Sequence, residues 1–113
     1  MKRIEAIIKF FKVEEVKERL FQVGARDISV SEVLGYRRGD VESGADAHSP
    51  RDAGFGARNA RIQLVVDDEM VYPIVDAIIG SARTGDAGDG DIFVSPVSSV
   101  YRIGTGERGL DAI

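Results

Sequence analysis

Cysteine is absent from this 113-residue chain, which excludes a disulfide framework, a thiolate metal site and a cysteine nucleophile. The absence fits a cytoplasmic protein. A single histidine, His48, excludes a multi-histidine metal centre, and it is a poor candidate for catalysis because no ordered base or nucleophile pairs with it. Long hydrophobic runs are missing too. The stretch "MKRIEAIIKFF" is interrupted by Glu5 and Lys9, so it reads neither as a signal-peptide core nor as a membrane span. There is no excess of positive charge: the net charge is −4, which argues against a nucleic-acid binder. No HExxH, Walker loop, GxGxxG or serine triad occurs, and an enzyme is not expected.

What is present suits one domain. Hydrophobic residues make up 43% of the chain, enough for a modest core. A chain this short buries a limited fraction of its surface, so association with further copies would add stability.

The hydrophobic pattern changes period along the chain. Arg3–Phe11, "RIEAIIKFF", alternates and predicts a strand. Val13, Val16, Leu20 and Val23 then fall three and four apart, the stripe of an amphipathic helix that Gly24 stops. "DISVSEVLGY" alternates again and predicts a second strand. Arg37–Asn59 shows no period and is rich in glycine and small residues. A stretch of that length inside a small domain is functional or disordered. "ARIQLVV" (Ala60–Val66) predicts a third strand. A second helix comes next, capped by Asp67 or Asp68, bent near its start by Pro73, and carrying Met70, Val71, Ile74, Val75 and Ile78 inward. "DIFVSPV" predicts a fourth strand and "SVYRIGTG" a short fifth.

The order is βαββαβ, the α+β ferredoxin-like arrangement: an antiparallel sheet with both helices on one face. Apolar residues on both sides of the first strand imply that the other face is covered by subunit contact.

"TGDAGDGDIFVSPV", Thr84–Val97, has two readings. Its glycines can turn several N–H groups toward an anion, as a nest. It can equally be a tight Asp-Gly turn between helix and strand. Asp86, Asp89 and Asp91 weigh on the first reading, because two like charges about 4 Å apart cost roughly 1 kcal/mol in water and more near a partly buried site. The same three carboxylates offer a weak Mg²⁺ or Ca²⁺ ligand set. Arg37, Arg38 and Arg102 are candidate partners for phosphate or carboxylate, against the plainer reading of solvated charge.

Four stretches, "MKRIEAIIKFFKVEEVKERL", "VSEVLGY", "DAIIGSARTGDAGDGDIFVSPV" and "RIGTGE…DAI", resemble the PII signal-transduction proteins. The resemblance covers 1–35 and 60–113, and TG-x-x-GDG-x-IFV is its most specific motif. It implies a compact homotrimer of ferredoxin-like subunits with adenine-nucleotide pockets between neighbours. It also implies a long T-loop, about 36–58, that docks on a transporter, channel or enzyme. Nucleotide-binding positions carry over as Ile7, Ser29, Gly35, Arg37, Arg38, Val65, Gly88, Asp89, Gly90 and Arg102.

The departures from the family are informative. Asp86 and Asp91 stand where lysines are usual, and Gly104 where a second terminal arginine is usual. A charged hydrogen bond is worth about 1.5–3 kcal/mol, so these losses favour ADP or AMP over ATP. Gly39 and Asn59 replace the glutamine and lysine tied to 2-oxoglutarate. The loop-tip tyrosine that is uridylylated in enteric relatives is missing, Tyr36 lying at the loop base. Phe10 replaces a proline. A branch of the family associated with carboxysomes and inorganic carbon responds to bicarbonate, and the departures are compatible with it. The alternatives are a constitutive trimeric scaffold with a vestigial pocket and a nitrogen regulator that still senses ATP and 2-oxoglutarate.

Overall fold

The first alternating stretch forms strand β1, Lys2–Lys9, with Ile4, Ala6 and Ile8 buried on one side. The structure is a computed structural model that describes residues 1–36, 38 and 56–113. Strand β1 is shorter than its sequence pattern, because Phe10–Lys12 turn into a 3-10 segment. Helix α1, Val13–Gln22, continues directly from it. Val16 and Leu20 are fully buried, while Val13 and Val23 pack at the margin. Gly24 ends the helix with φ +106°, and the next amide, Ala25 N–H, reaches back to Leu20 C=O at 3.0 Å. A glycine past the helix end is suited to that backbone.

Strands β2 (Ser29–Gly35) and β3 (Ala57–Val66) come next, and β3 starts three residues before its predicted first residue. Arg37, Gly39, His48 and Arg51 lie outside the described residues. A second 3-10 segment, Asp68–Met70, leads into helix α2, Val71–Ala82. Neither Asp67 nor Asp68 caps α2 through its side chain. Asp68 turns instead to the Met1 ammonium, 2.9 Å away, and that hydrogen bond holds its carboxyl below the usual carboxylate range. Pro73 falls within the first turn of α2, where a missing N–H removes no helical hydrogen bond. Ile74 and Ile78 are buried as the stripe requires, with Ala77, Ser81 and Ala82 beside them.

Strand β4, Gly90–Pro96, completes an antiparallel sheet in the order β2-β3-β1-β4. This is the ferredoxin-like arrangement. The core lies between the sheet and the helices, where Ile4, Ile8, Val16, Leu20, Ile62, Ile74 and Ile78 are the largest fully buried side chains. Among the described residues no fifth strand joins the sheet. The segment after β4 spends its amides on itself: Arg102 N–H donates to Glu107 C=O (2.8 Å) and Gly109 N–H to Val100 C=O (3.0 Å). Only an isolated bridge, Tyr101 to Arg108, remains of the expected strand, and the chain closes in a short 3-10 turn, Gly109–Ala112.

The sheet face away from the helices is set by register. Arg3, Val65 and Ser95 form one row; Glu5, Gln63, Ser29 and Phe93 the next; Ile7, Arg61, Ser31 and Asp91 a third; Lys9, Asn59 and Val33 a fourth. Arg61 Nε lies 2.7 Å from Glu5 Oε1, but its N–H is not aligned for a hydrogen bond, so the contact is an ion pair only. Phe93 on this face is 55% exposed.

Candidate functional site

The glycine-rich turn between α2 and β4 is built around Asp89. Thr84 N–H and Gly85 N–H both donate to Asp89 Oδ2, at 2.7 and 2.9 Å, and the Thr84 hydroxyl donates to Oδ1. The backbone closes the same loop, Asp89 N–H donating to Asp86 C=O at 3.3 Å. The Thr84 hydroxyl above all, then the two amides and Lys9, hold the Asp89 carboxyl well below the usual carboxylate range against an opposing desolvation. The turn therefore behaves as an anion cradle, and the anion it holds is its own.

Lys9, at the end of β1, supplies the cation. Its Nζ lies 3.0 Å from Asp86 Oδ2 and 3.4 Å from Asp89 Oδ1, and it donates to Thr84 Oγ1 at 3.2 Å. The hydrogen bond to Asp86 is the largest of the effects that raise the Lys9 pKa above its ordinary value. The two carboxylates differ in setting, the Asp89 side chain being 21% exposed and that of Asp86 76%. Asp89 is a structural member of the turn, whereas Asp86 is held only from one side. The three acids do not converge, and among the described residues no group of three His, Asp or Glu side chains is placed to hold a metal ion.

Gly90 explains how the turn can lie so close to β1. Its φ is +112°, and a Cβ there would stand 1.7 Å from Ile7 O. Only glycine meets both conditions. Gly88 borders the Lys9 stem, where an added Cβ would lie 3.9 Å from Cε.

The carried-over residues do not form one pocket within a single chain. Gly35 ends β2 opposite Ala57, Arg38 is exposed just beyond, and Gly90 faces Ile8, so these residues and Gly88 and Asp89 gather at the Lys9 end of the sheet. Ile7, Asp89 and Gly90 line a cavity of about 470 Å³ between β4 and α2. Ser29, Val65 and Arg102 line a different cavity, about 770 Å³, together with Tyr101 and Ile113. Arg37 lies outside the described residues. Arg102 is already engaged: it donates to Ala112 C=O at 3.0 Å and sits 3.6 Å from Asp27 Oδ2.

Several participants do not stand out in the sequence. Lys9 looks like any wet-face lysine of an alternating strand, and Thr84 like a helix terminator. Arg58, which the sequence places at the end of the long loop, is in β3; its guanidinium stacks 3.6 Å from the Phe10 ring centroid and its Nε donates to Glu32 at 2.6 Å. Phe10, where the family has proline, thus gains a partner across the loop base.

The description "Nitrogen regulatory protein P-II" belongs to the family model that matches residues 1–107. Nitrogen regulatory protein P-II of Nostoc punctiforme is 43% identical over 113 residues, covering all of both chains. That of Azospirillum brasilense is 46% identical over 115 residues, again at full coverage. Among solved structures, Arabidopsis thaliana PII bound to citrate superposes with a TM-score of 0.80 at 35% identity, covering 99% of this chain and 91% of that one. With the family model spanning nearly the whole sequence and full-length relatives above two-fifths identity, this chain belongs to the nitrogen regulatory P-II family.

Proposed function

We propose that the protein is a cytoplasmic, homotrimeric P-II signalling protein. It binds an adenine nucleotide of low phosphate count between subunits and controls a partner protein through the long loop between β2 and β3. One observation carries the low phosphate count: the donors nearest the expected phosphates are already spent within the chain. Asp89 holds the Thr84 and Gly85 amides, Asp86 holds Lys9, and Arg102 is tied to Ala112 C=O and Asp27. Among the described residues Arg38, just beyond β2, is exposed and is a cation we assign to an anionic ligand. ADP or AMP asks for fewer charged contacts than ATP and suits this supply.

Two features support the intersubunit placement. Ser29, Val65 and Arg102 lie in one cavity and Ile7, Asp89 and Gly90 in another, so neither set is complete alone. The helix-free sheet face offers Ile7, Val65 and Phe93 to a neighbour, around the Glu5–Arg61 ion pair. Nucleotide-dependent partner control then results if the ligand contacts one loop arrangement better than another. Bicarbonate is the small anion we assign as a further effector, as in the inorganic-carbon branch with carboxysome or transporter partners.

Titration calorimetry with AMP, ADP and ATP, each with and without bicarbonate or 2-oxoglutarate, tests the reading. The expected result is heat with ADP or AMP, weaker binding of ATP, and an effect of bicarbonate. Heat only with ATP plus 2-oxoglutarate would instead assign a nitrogen sensor. No heat with any nucleotide would leave a constitutive trimeric scaffold.

A further inference from the structure

We propose that Asp86 is an exchangeable place-holder anion on Lys9, and that its displacement sets how much phosphate charge the glycine turn accepts. The inference rests on the nucleotide reading above for its ligand, a polyphosphate end, but not for its mechanism. Lys9 is the cation that reaches into the turn. Two carboxylates share it, and they are not equivalent. Asp89 is fixed by the amides and hydroxyl of Thr84 and by Gly85, so it cannot leave without unmaking the turn. The Asp86 carboxylate is held by Lys9 and is 76% exposed. Its backbone is held separately, Asp86 N–H donating to Thr84 Oγ1 at 3.3 Å and its C=O accepting from Asp89. The Asp86 side chain can therefore swing off Lys9 with the turn intact.

An incoming phosphate must compete with Asp86 for Lys9, beside Gly88, where an added Cβ would lie 3.9 Å from Lys9 Cε. An exposed ion pair is weak. Asp86 therefore acts as a threshold: a ligand with one phosphate that reaches only Arg38 is indifferent to it, while a ligand that extends to the turn must first expel a like charge. Lys9 is then the specificity-determining cation and Asp86 its internal competitor.

The test uses the full chain with Asp86→Asn, Lys9→Gln and the double variant, each first checked without ligand for a melting temperature close to that of the wild type. Two probes are applied: inorganic tripolyphosphate, followed by the Gly88 and Thr84 amide signals in ¹H–¹⁵N spectra, and the series AMP, ADP, ATP followed by calorimetry. D86N is expected to bind tripolyphosphate and ATP roughly two- to fivefold more tightly, the fold-change that matches release of one exposed ion pair, with AMP unchanged. Lys9→Gln is expected to cancel that gain in the double variant. A gain that survives without Lys9, or a D86N affinity equal to wild type for both probes, overturns the proposal. If no variant binds any nucleotide but D86N still gains tripolyphosphate, the nucleotide reading fails and this inference stands. If nucleotides bind but D86N gains affinity for neither tripolyphosphate nor ATP, the nucleotide reading stands and this inference fails.

Discussion

Replacing Gly90 by alanine should damage this protein far more than the same change at Gly88, two residues away. Two penalties act at Gly90. Its φ of +112° lies where an L-residue pays roughly 1–2 kcal/mol. The new Cβ would also stand 1.7 Å from Ile7 O and 2.8 Å from Ile7 C. An ordinary C···O contact is about 3.3 Å, so β4 must retreat from β1 by more than an ångström at its first residue. A retreat of that size breaks the ladder next to Ile8, at about 1 kcal/mol for each hydrogen bond lost. Together the expected loss is roughly 2–5 kcal/mol, a large share of the 5–15 kcal/mol typical of a domain. At about 4 °C per kcal/mol for a chain of this size, the melting temperature should fall by roughly 8–20 °C. At Gly88 the added Cβ meets only Lys9 Cε at 3.9 Å, ordinary contact, and the melting temperature should move by no more than about 2 °C. Differential scanning calorimetry of both variants at one fixed protein concentration makes the comparison, since association also shifts apparent stability. If Gly90→Ala melts with the wild type, the close approach of the turn to β1 is wrong, and with it the placement of Lys9 and Asp89.

Three further outcomes are expected. Asp91→Lys should strengthen ATP binding about tenfold by calorimetry, through one regained charged contact; an unchanged affinity with an intact fold would remove Asp91 from the phosphate end. Asp89 has a lowered folded-state pKa, so its contribution is present above the ordinary carboxylate range near pH 3.9 and is lost as the pH falls through its lower folded value. The melting-temperature gap between wild type and Asp89→Asn should therefore be constant from pH 7 to about pH 5 and shrink below about pH 4; a gap that instead widens on acidification contradicts the assigned role. Ile78→Ala, at a position 1% exposed between α2 and the sheet, should cost about 2–5 kcal/mol in denaturant unfolding, and a loss below 1 kcal/mol would mean the core is looser than described.

Much of the fold is legible because it is written in local periodicity. Ile4, Ala6 and Ile8 alternate along β1, and Val16 and Leu20 sit four apart on α1, so burial on one face follows from the residues themselves. The expected fifth strand fails because Arg102, Gly106 and Gly109 satisfy their amides within a local turn, with Gly106 and Gly109 at positive φ, and period-2 apolar residues alone do not say which partner a strand edge finds. The candidate site is legible only in part, because its decisive contacts are not local. Lys9 meets Asp86 across 77 positions and Arg58 meets Glu32 across 26, and no spacing rule reaches that far. The acidic character of the turn is plain in the sequence, but that Asp89 fills the amides of Thr84 and Gly85 depends on backbone geometry. Arg102 reads as a free cation, yet a carbonyl ten residues later already claims it.

The most direct measurement is the ratio of ADP to ATP affinity for the unaltered protein, obtained by calorimetry under one set of salt and magnesium conditions. With Asp89 seated in the turn, Lys9 shared with Asp86 and Arg102 tied back to Ala112, ADP should bind more tightly than ATP. An ATP affinity equal to or greater than that of ADP would contradict the proposed division of donors.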